Sequence, residues 1–132
     1  MAWKPSQRLG SHAVWERRVL WSIRLPVAND EGKDTNPEEL LGAAHARCFS
    51  MALALELTKA GVTVKSIHTT AKVHFEERGG GWSIQKIDLD AEASISDMAA
   101  EAFEEHSQGA KKNCPVSRAL SGVDIHLRAK LL

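Results

Sequence analysis

Cysteine is scarce in this chain. Cys48 and Cys114 are the only two in 132 residues, too few for a disulfide scaffold and spaced as neither a CxxC redox pair nor a zinc knuckle. Charge of one sign is missing as well: 17 basic side chains meet 17 acidic ones, so no electrostatic footprint points to nucleic acid or to an anionic lipid surface. The longest nearly charge-free apolar run, Phe49 to Leu55, falls well short of the ~20 residues that span a bilayer. Met1-Ala2-Trp3-Lys4-Pro5 lacks the apolar core of a secretory signal, which predicts a cytoplasmic chain. Internal repeats, low-complexity tracts, a Gly-x-Ser-x-Gly elbow and a Gly-rich phosphate loop are all lacking. The remaining composition, 43% hydrophobic and 26% charged, argues against disorder and fits one domain over residues 1–132.

The segment from Ser11 to Leu25 is rich in Val, Trp and Ile and reads as one or two strands, followed by a polar loop from Pro26 to Asp34. Pro37, Glu38 and Glu39 then open a helix. Proline suits its first position, the two carboxylates favour the positive end of the dipole, and Asn36 is placed to cap. Good helix formers continue to Lys59, and Gly61 supplies the stop. Leu40, Leu41, Ala44, Cys48, Met51, Ala52 and Leu55 recur at three- and four-residue spacing, which predicts a buried stripe carrying Cys48. Phe49, Met51 and Phe103 read as plain core.

From Val64 to Glu76 apolar and polar residues alternate, with Ile67, Thr69, Ala71, Val73 and Phe75 on one face. Gly79-Gly80-Gly81 turns the chain into a second strand, Trp82 to about Ser94. The shift in inward phase between Ile84 and Ile87 predicts a bulge near Gln85 and Lys86. Ser96 and Asp97 are expected to cap a helix running to about Lys112. Ile125, Leu127, Ala129 and Leu131 alternate inward along a last strand. The order of strands, helix, hairpin, helix and strand predicts an α+β fold, with antiparallel strands packed on a long central helix.

Among the six histidines, His68 and His74 share a strand face but stand about 20 Å apart at 3.3 Å per residue, too far to chelate one ion. These two and His126 read as solvated surface. His45 and Cys48, three residues apart on one helix, form a candidate metal pair that no other local cluster completes. The thiols themselves are better candidates for chemistry. Cys114 precedes Pro115 and can cap a short helical turn, where free N–H groups and nearby Lys111 and Lys112 would lower its pKa. Cys48 sits mid-helix on an apolar stripe, where burial raises a thiol pKa. Local physics alone selects Cys114 as the reactive thiol; a reactive Cys48 needs an imported cation.

The run Thr35-Asn36-Pro37-Glu38-Glu39-Leu40-Leu41-Gly42-Ala43-Ala44-His45-Ala46-Arg47-Cys48-Phe49-Ser50-Met51-Ala52-Leu53-Ala54 closely resembles the helix signature of the osmotically inducible protein C (OsmC) family, whose relatives are the organic hydroperoxide resistance proteins. Lys112-Asn113-Cys114-Pro115-Val116-Ser117-Arg118-Ala119-Leu120 resembles that family's second cysteine motif. The resemblance covers residues 32–132, and residues 1–31 diverge, with no glycine between Gly10 and Gly32.

The resemblance implies a thiol peroxidase that reduces organic hydroperoxides and, less well, hydrogen peroxide. It needs no bound cofactor and is regenerated by an external dithiol, such as a dihydrolipoyl group. By motif position Cys48 would be the peroxidatic thiol, Cys114 the resolving thiol, and Glu38 the carboxylate that holds a catalytic arginine beside the thiolate. Arg24, at a strand end before the polar loop, is the expected arginine, with Arg17 and Arg18 as alternatives. Ten residues of straight helix separate Glu38 from Cys48 by about 15 Å. Either the helix breaks near Gly42 or Glu38 serves the Cys48 of a second subunit, and the family implies an intertwined homodimer with interfacial sites. A reading of another class is a non-catalytic OsmC-like domain that binds a ligand or partner and lacks a placed arginine. Metal binding through His45 and Cys48 is a third.

Overall fold

The computed structural model describes residues 36–132. The expected N-terminal strands, and with them Arg17, Arg18 and Arg24, lie outside these described residues.

Helix α1 runs without interruption from Pro37 to Lys59. Its end is closed as the sequence predicts. Gly61 adopts φ +80°, its N–H donates to the Thr58 carbonyl, and the Val62 N–H donates to the Leu57 carbonyl, both at 3.0 Å. This is the paired bonding of a left-handed helix stop, with Val62 packed on the core beyond it.

Strands β1 (Val64–Arg78) and β2 (Gly81–Ile95) form the antiparallel hairpin. Arg78 pairs with Gly81, so Gly79 and Gly80 make a two-residue turn, and both carry the positive φ that such a turn requires. His74 faces Lys86 and Phe75 faces Ile84, which leaves Gln85 as the extra residue of the expected bulge.

Helices α2 (Ala100–Asn113) and α3 (Pro115–Ala119) lead to β3 (Asp124–Leu131). The described sheet has the order β1-β2-β3, and β3 lies parallel to β2. It is therefore mixed rather than antiparallel throughout. A parallel neighbour needs a long crossover, and the two helices between β2 and β3 supply one. The expected cap of α2 also differs. Ala99 precedes the helix with no side-chain cap, while Ser96 bonds Thr63 across the end of the hairpin through both its N–H (2.9 Å) and its hydroxyl (3.0 Å).

The core lies between the helices and one face of the sheet. It joins Phe49, Leu53 and Leu57 of α1 to Ile87, Leu89, Ala91 and Ala93 of β2 and to Phe103 and Ala110 of α2. The inward residues of β3 are half-buried, as the alternation predicts. Gly42 lets α1 approach β1: a Cβ there would stand 3.2 Å from Val73 Cγ2.

The buried face of α1 corrects the predicted stripe. Gly42, His45, Phe49, Leu53 and Leu57 are buried, Cys48 and Ala52 lie at the border, and Met51 and Leu55 are 58% and 55% exposed. Met51 is thus not core. The helix is apolar almost all round, so spacing alone does not tell which of two adjacent stripes meets the sheet. The same apolarity makes α1 long and apolar enough, by length and composition, to cross a membrane; here its buried face packs on the sheet.

Candidate active site

Three elements bring the two cysteines together. Cys48 projects from the middle of α1 at the edge of the buried face. Cys114 sits at the junction of α2 and α3. Its N–H closes α2 on the Ala110 carbonyl at 2.8 Å, and its own carbonyl accepts the Arg118 N–H at 3.0 Å as the first bond of α3. Pro115 occupies the first turn, where its missing N–H costs nothing. Both thiols are free, and Cys48 lies near enough to the Cys114 thiol and the Val116 backbone N–H for each to act on its titration.

The environment of Cys48 divides into opposed influences. Burial pushes its pKa up most strongly, the Val116 N–H pulls it down, and the neighbouring Cys114 thiol pushes it up again. The net direction is upward, so the described residues hold Cys48 as a thiol. Access distinguishes the pair. Cys114 is fully buried, whereas Cys48 borders an open groove of about 780 Å³ lined also by Met51, Ala52, Leu55 and Pro115. The expected cap position of Cys114 is present in the backbone, but its thiol makes no cap bond and has no path to solvent.

Glu38 lies in the first turn of α1, half-buried. Because the helix does not break at Gly42, it stands about 15 Å along the axis from Cys48 of its own chain and does not reach it.

His45, one half of the candidate metal pair, is buried. Its ring points into the core with no exposed surface, and Nε2 lies 2.8 Å from the Ser117 hydroxyl on α3. Among the described residues no group of three or more His, Cys, Asp or Glu side chains could hold a metal ion. Nδ1 of His45 has no hydrogen-bond partner among the described residues. An Nε2–H tautomer, donating to Ser117, leaves only a bare lone pair there, the lesser penalty for a buried ring.

Burial lowers the His45 pKa below its ordinary 6.5. The unfolded chain therefore takes up the proton first as pH falls. Stability is fully present above about pH 6.5 and declines below it, toward the folded value. Urea unfolding at pH 7.5 and 5.5 is expected to show a larger acid loss for the natural chain than for His45→Gln. Equal losses would contradict this placement.

Of the three histidines expected at the surface, His68 and His126 are exposed and His74 is half-buried. Asp88, on the sheet face away from the helices, receives His74 Nε2 at 2.6 Å, Lys86 Nζ at 3.5 Å and His126 Nδ1 at 3.5 Å. The His74 contact is the main reason its carboxyl is held below the usual range. His126 also meets Asp124 at 2.9 Å, and His68 is exposed.

A family model described as OsmC-like protein matches residues 30–128. Peroxiredoxin OsmC of Escherichia coli (strain K12) is 51% identical over 88 residues, which is 67% of this chain and 62% of that protein. The chain thus spans less than two thirds of that relative. An organic hydroperoxide resistance protein-like protein of Staphylococcus aureus (strain USA300) is 32% identical over 112 residues, 84% of this chain and 79% of that one. Among solved structures, an organic hydroperoxide resistance protein from Elizabethkingia anophelis superposes with a TM-score of 0.65 at 27% identity, covering 83% of this chain and 77% of its own. An OsmC-like protein from Mycoplasma pneumoniae, with a TM-score of 0.68 at 18% identity over 76% of this chain and 74% of its own, shares the fold.

Proposed function

This chain belongs to the OsmC-like protein family, and from that premise we propose that it is a thiol peroxidase acting on organic hydroperoxides and, less well, on hydrogen peroxide. The names of its relatives, peroxiredoxin and organic hydroperoxide resistance protein, support a peroxide-related redox role. The observation that carries the two-cysteine form is the contact between an accessible Cys48 and a buried Cys114.

In the proposed cycle the Cys48 thiolate attacks the O–O bond. The sulfur takes the distal oxygen as a sulfenic acid, and the alkoxide leaves and is protonated to the alcohol. Cys114 then displaces hydroxide from that sulfur, giving a Cys48–Cys114 disulfide and water. An external dithiol, such as a dihydrolipoyl group, reduces the disulfide by two exchanges and leaves as its own disulfide. The apolar groove beside Cys48 suits the alkyl part of an organic hydroperoxide.

A thiolate needs a cation to overcome burial. Arg24, with Arg17 and Arg18 as alternatives, is the proposed source, held by Glu38 of a second subunit because one unbroken helix keeps Glu38 from its own Cys48. The exposed Met51 and Leu55 beside the site are consistent with a homodimer packed on this face of α1.

One observation favours a second reading. The described surroundings raise the Cys48 pKa, which is what a non-catalytic, ligand-binding relative would retain. Alkylation of Cys48 as a function of pH separates the two. The peroxidase reading expects a midpoint well below the ~8.5 of a free thiol, and a midpoint at or above that value would favour the binding domain.

A further inference from the structure

We infer that the buried His45–Ser117 hydrogen bond positions the two thiols for disulfide formation, tying the turn of α1 before Cys48 to the turn of α3 after Cys114. This rests on the two-cysteine reading above. His45 lies three residues before Cys48, and Ser117 lies three residues after Cys114. Both are buried, and the bond between them spans 72 residues of sequence. Between these anchors lie Cys48, packed against the core, and the buried Cys114, with Val116 the second residue after it.

The reason for a polar tie lies in its direction. Helix α3 has five residues, so it brings few side chains of its own to the core. Apolar contacts such as Val116 on the core resist separation but only weakly resist rotation about the helix axis. A hydrogen bond depends on angle, so it fixes that rotation. Rotation of α3 decides both where the Cys114 sulfur lies and where the Val116 N–H points. A disulfide accepts a narrow geometry, with Cβ atoms about 3.8 Å apart and a dihedral near 90°. An apolar pair of the same shape would fill this space without leaving His45 Nδ1 bare in the core, so stability alone does not account for the pair.

His45 and Ser117 are thus positioning residues for the resolving step. There the Cys114 sulfur attacks the Cys48 sulfenic acid, the S–S bond forms, and oxygen leaves as water with the thiol proton. They touch no substrate in the attack on peroxide. Removing the tie should slow resolution and leave the attack nearly as fast.

The test measures the two steps separately, with cumene hydroperoxide as oxidant, in the full chain and in Ser117→Ala, His45→Leu and His45→Gln. Ser117→Ala and His45→Leu are expected to form the disulfide about 10–100-fold more slowly, because a misplacement of about 1 Å costs up to ~100-fold. Over-oxidised Cys48, read by mass spectrometry, should rise in proportion. His45→Gln, whose amide nitrogen can reach Ser117, should recover most of the rate. Folded variants that resolve at the natural rate, or that lose both steps equally, would overturn the proposal.

A second readout needs no peroxide: equilibration of the Cys48–Cys114 pair with a glutathione redox buffer. If the natural chain forms no disulfide there, the two-cysteine reading fails and the positioning role with it. If it does, and Ser117→Ala forms the disulfide at the same glutathione ratio, the positioning role alone fails.

Discussion

Replacing Cys48 by serine is expected to lower hydroperoxide consumption by about three orders of magnitude or more, because a serine hydroxyl without a base is not a nucleophile at neutral pH. Cys114→Ser should behave differently. Cys48 would still attack the peroxide, but its sulfenic acid would find no partner in contact, so one turnover would be followed by over-oxidation and loss of activity. The asymmetry follows from access: Cys48 borders the groove and Cys114 has no exposed surface. Peroxide consumption and the mass of each cysteine-containing peptide check both variants. Loss of the first turnover in Cys114→Ser with retention in Cys48→Ser would reverse the roles.

The second large effect concerns which face of α1 meets the sheet. Phe49 is fully buried among α1, β2 and α2, so Phe49→Ala is expected to cost about 3–5 kcal/mol in urea unfolding, through lost burial and the cavity left behind. Met51, two residues on, is 58% exposed. Met51→Ser should leave the core intact and act instead on self-association, read by sedimentation over a range of protein concentrations. Equal core losses for the two variants would mean that the helix is rotated toward the stripe its spacing suggests.

That stripe marks the limit of the sequence reading. The ends of α1, the hairpin and the bulge were legible because each rests on local chemistry. Pro37 starts α1, Gly61 stops it with a positive φ, Gly79 and Gly80 make the turn, and the phase change between Ile84 and Ile87 exposes the extra Gln85. The facing of α1 was not legible, since Cys48, Met51 and Leu55 are as apolar as Phe49, Leu53 and Leu57. The parallel pairing of β3 was hidden as well, because alternation along a strand carries no direction.

The site divides in the same way. The cap position of Cys114 could be read from Pro115, and the expected upward push of burial on Cys48 is present. Local chemistry nevertheless preferred Cys114 as the reactive thiol, because spacing carries no information on which thiol a groove reaches. The meeting of Cys48 with Cys114 came only through the family resemblance. Ser117 carried no signal: a serine in a short helix announces nothing about a histidine 72 residues earlier.

The fate of the two thiols in the natural chain tests the two-cysteine cycle most directly. Reduced protein given one equivalent of cumene hydroperoxide should lose both thiols together, and peptide mapping should recover a single Cys48–Cys114 disulfide that a dithiol reverses. Survival of both thiols in excess peroxide, or oxidation of Cys48 without the disulfide, would contradict it.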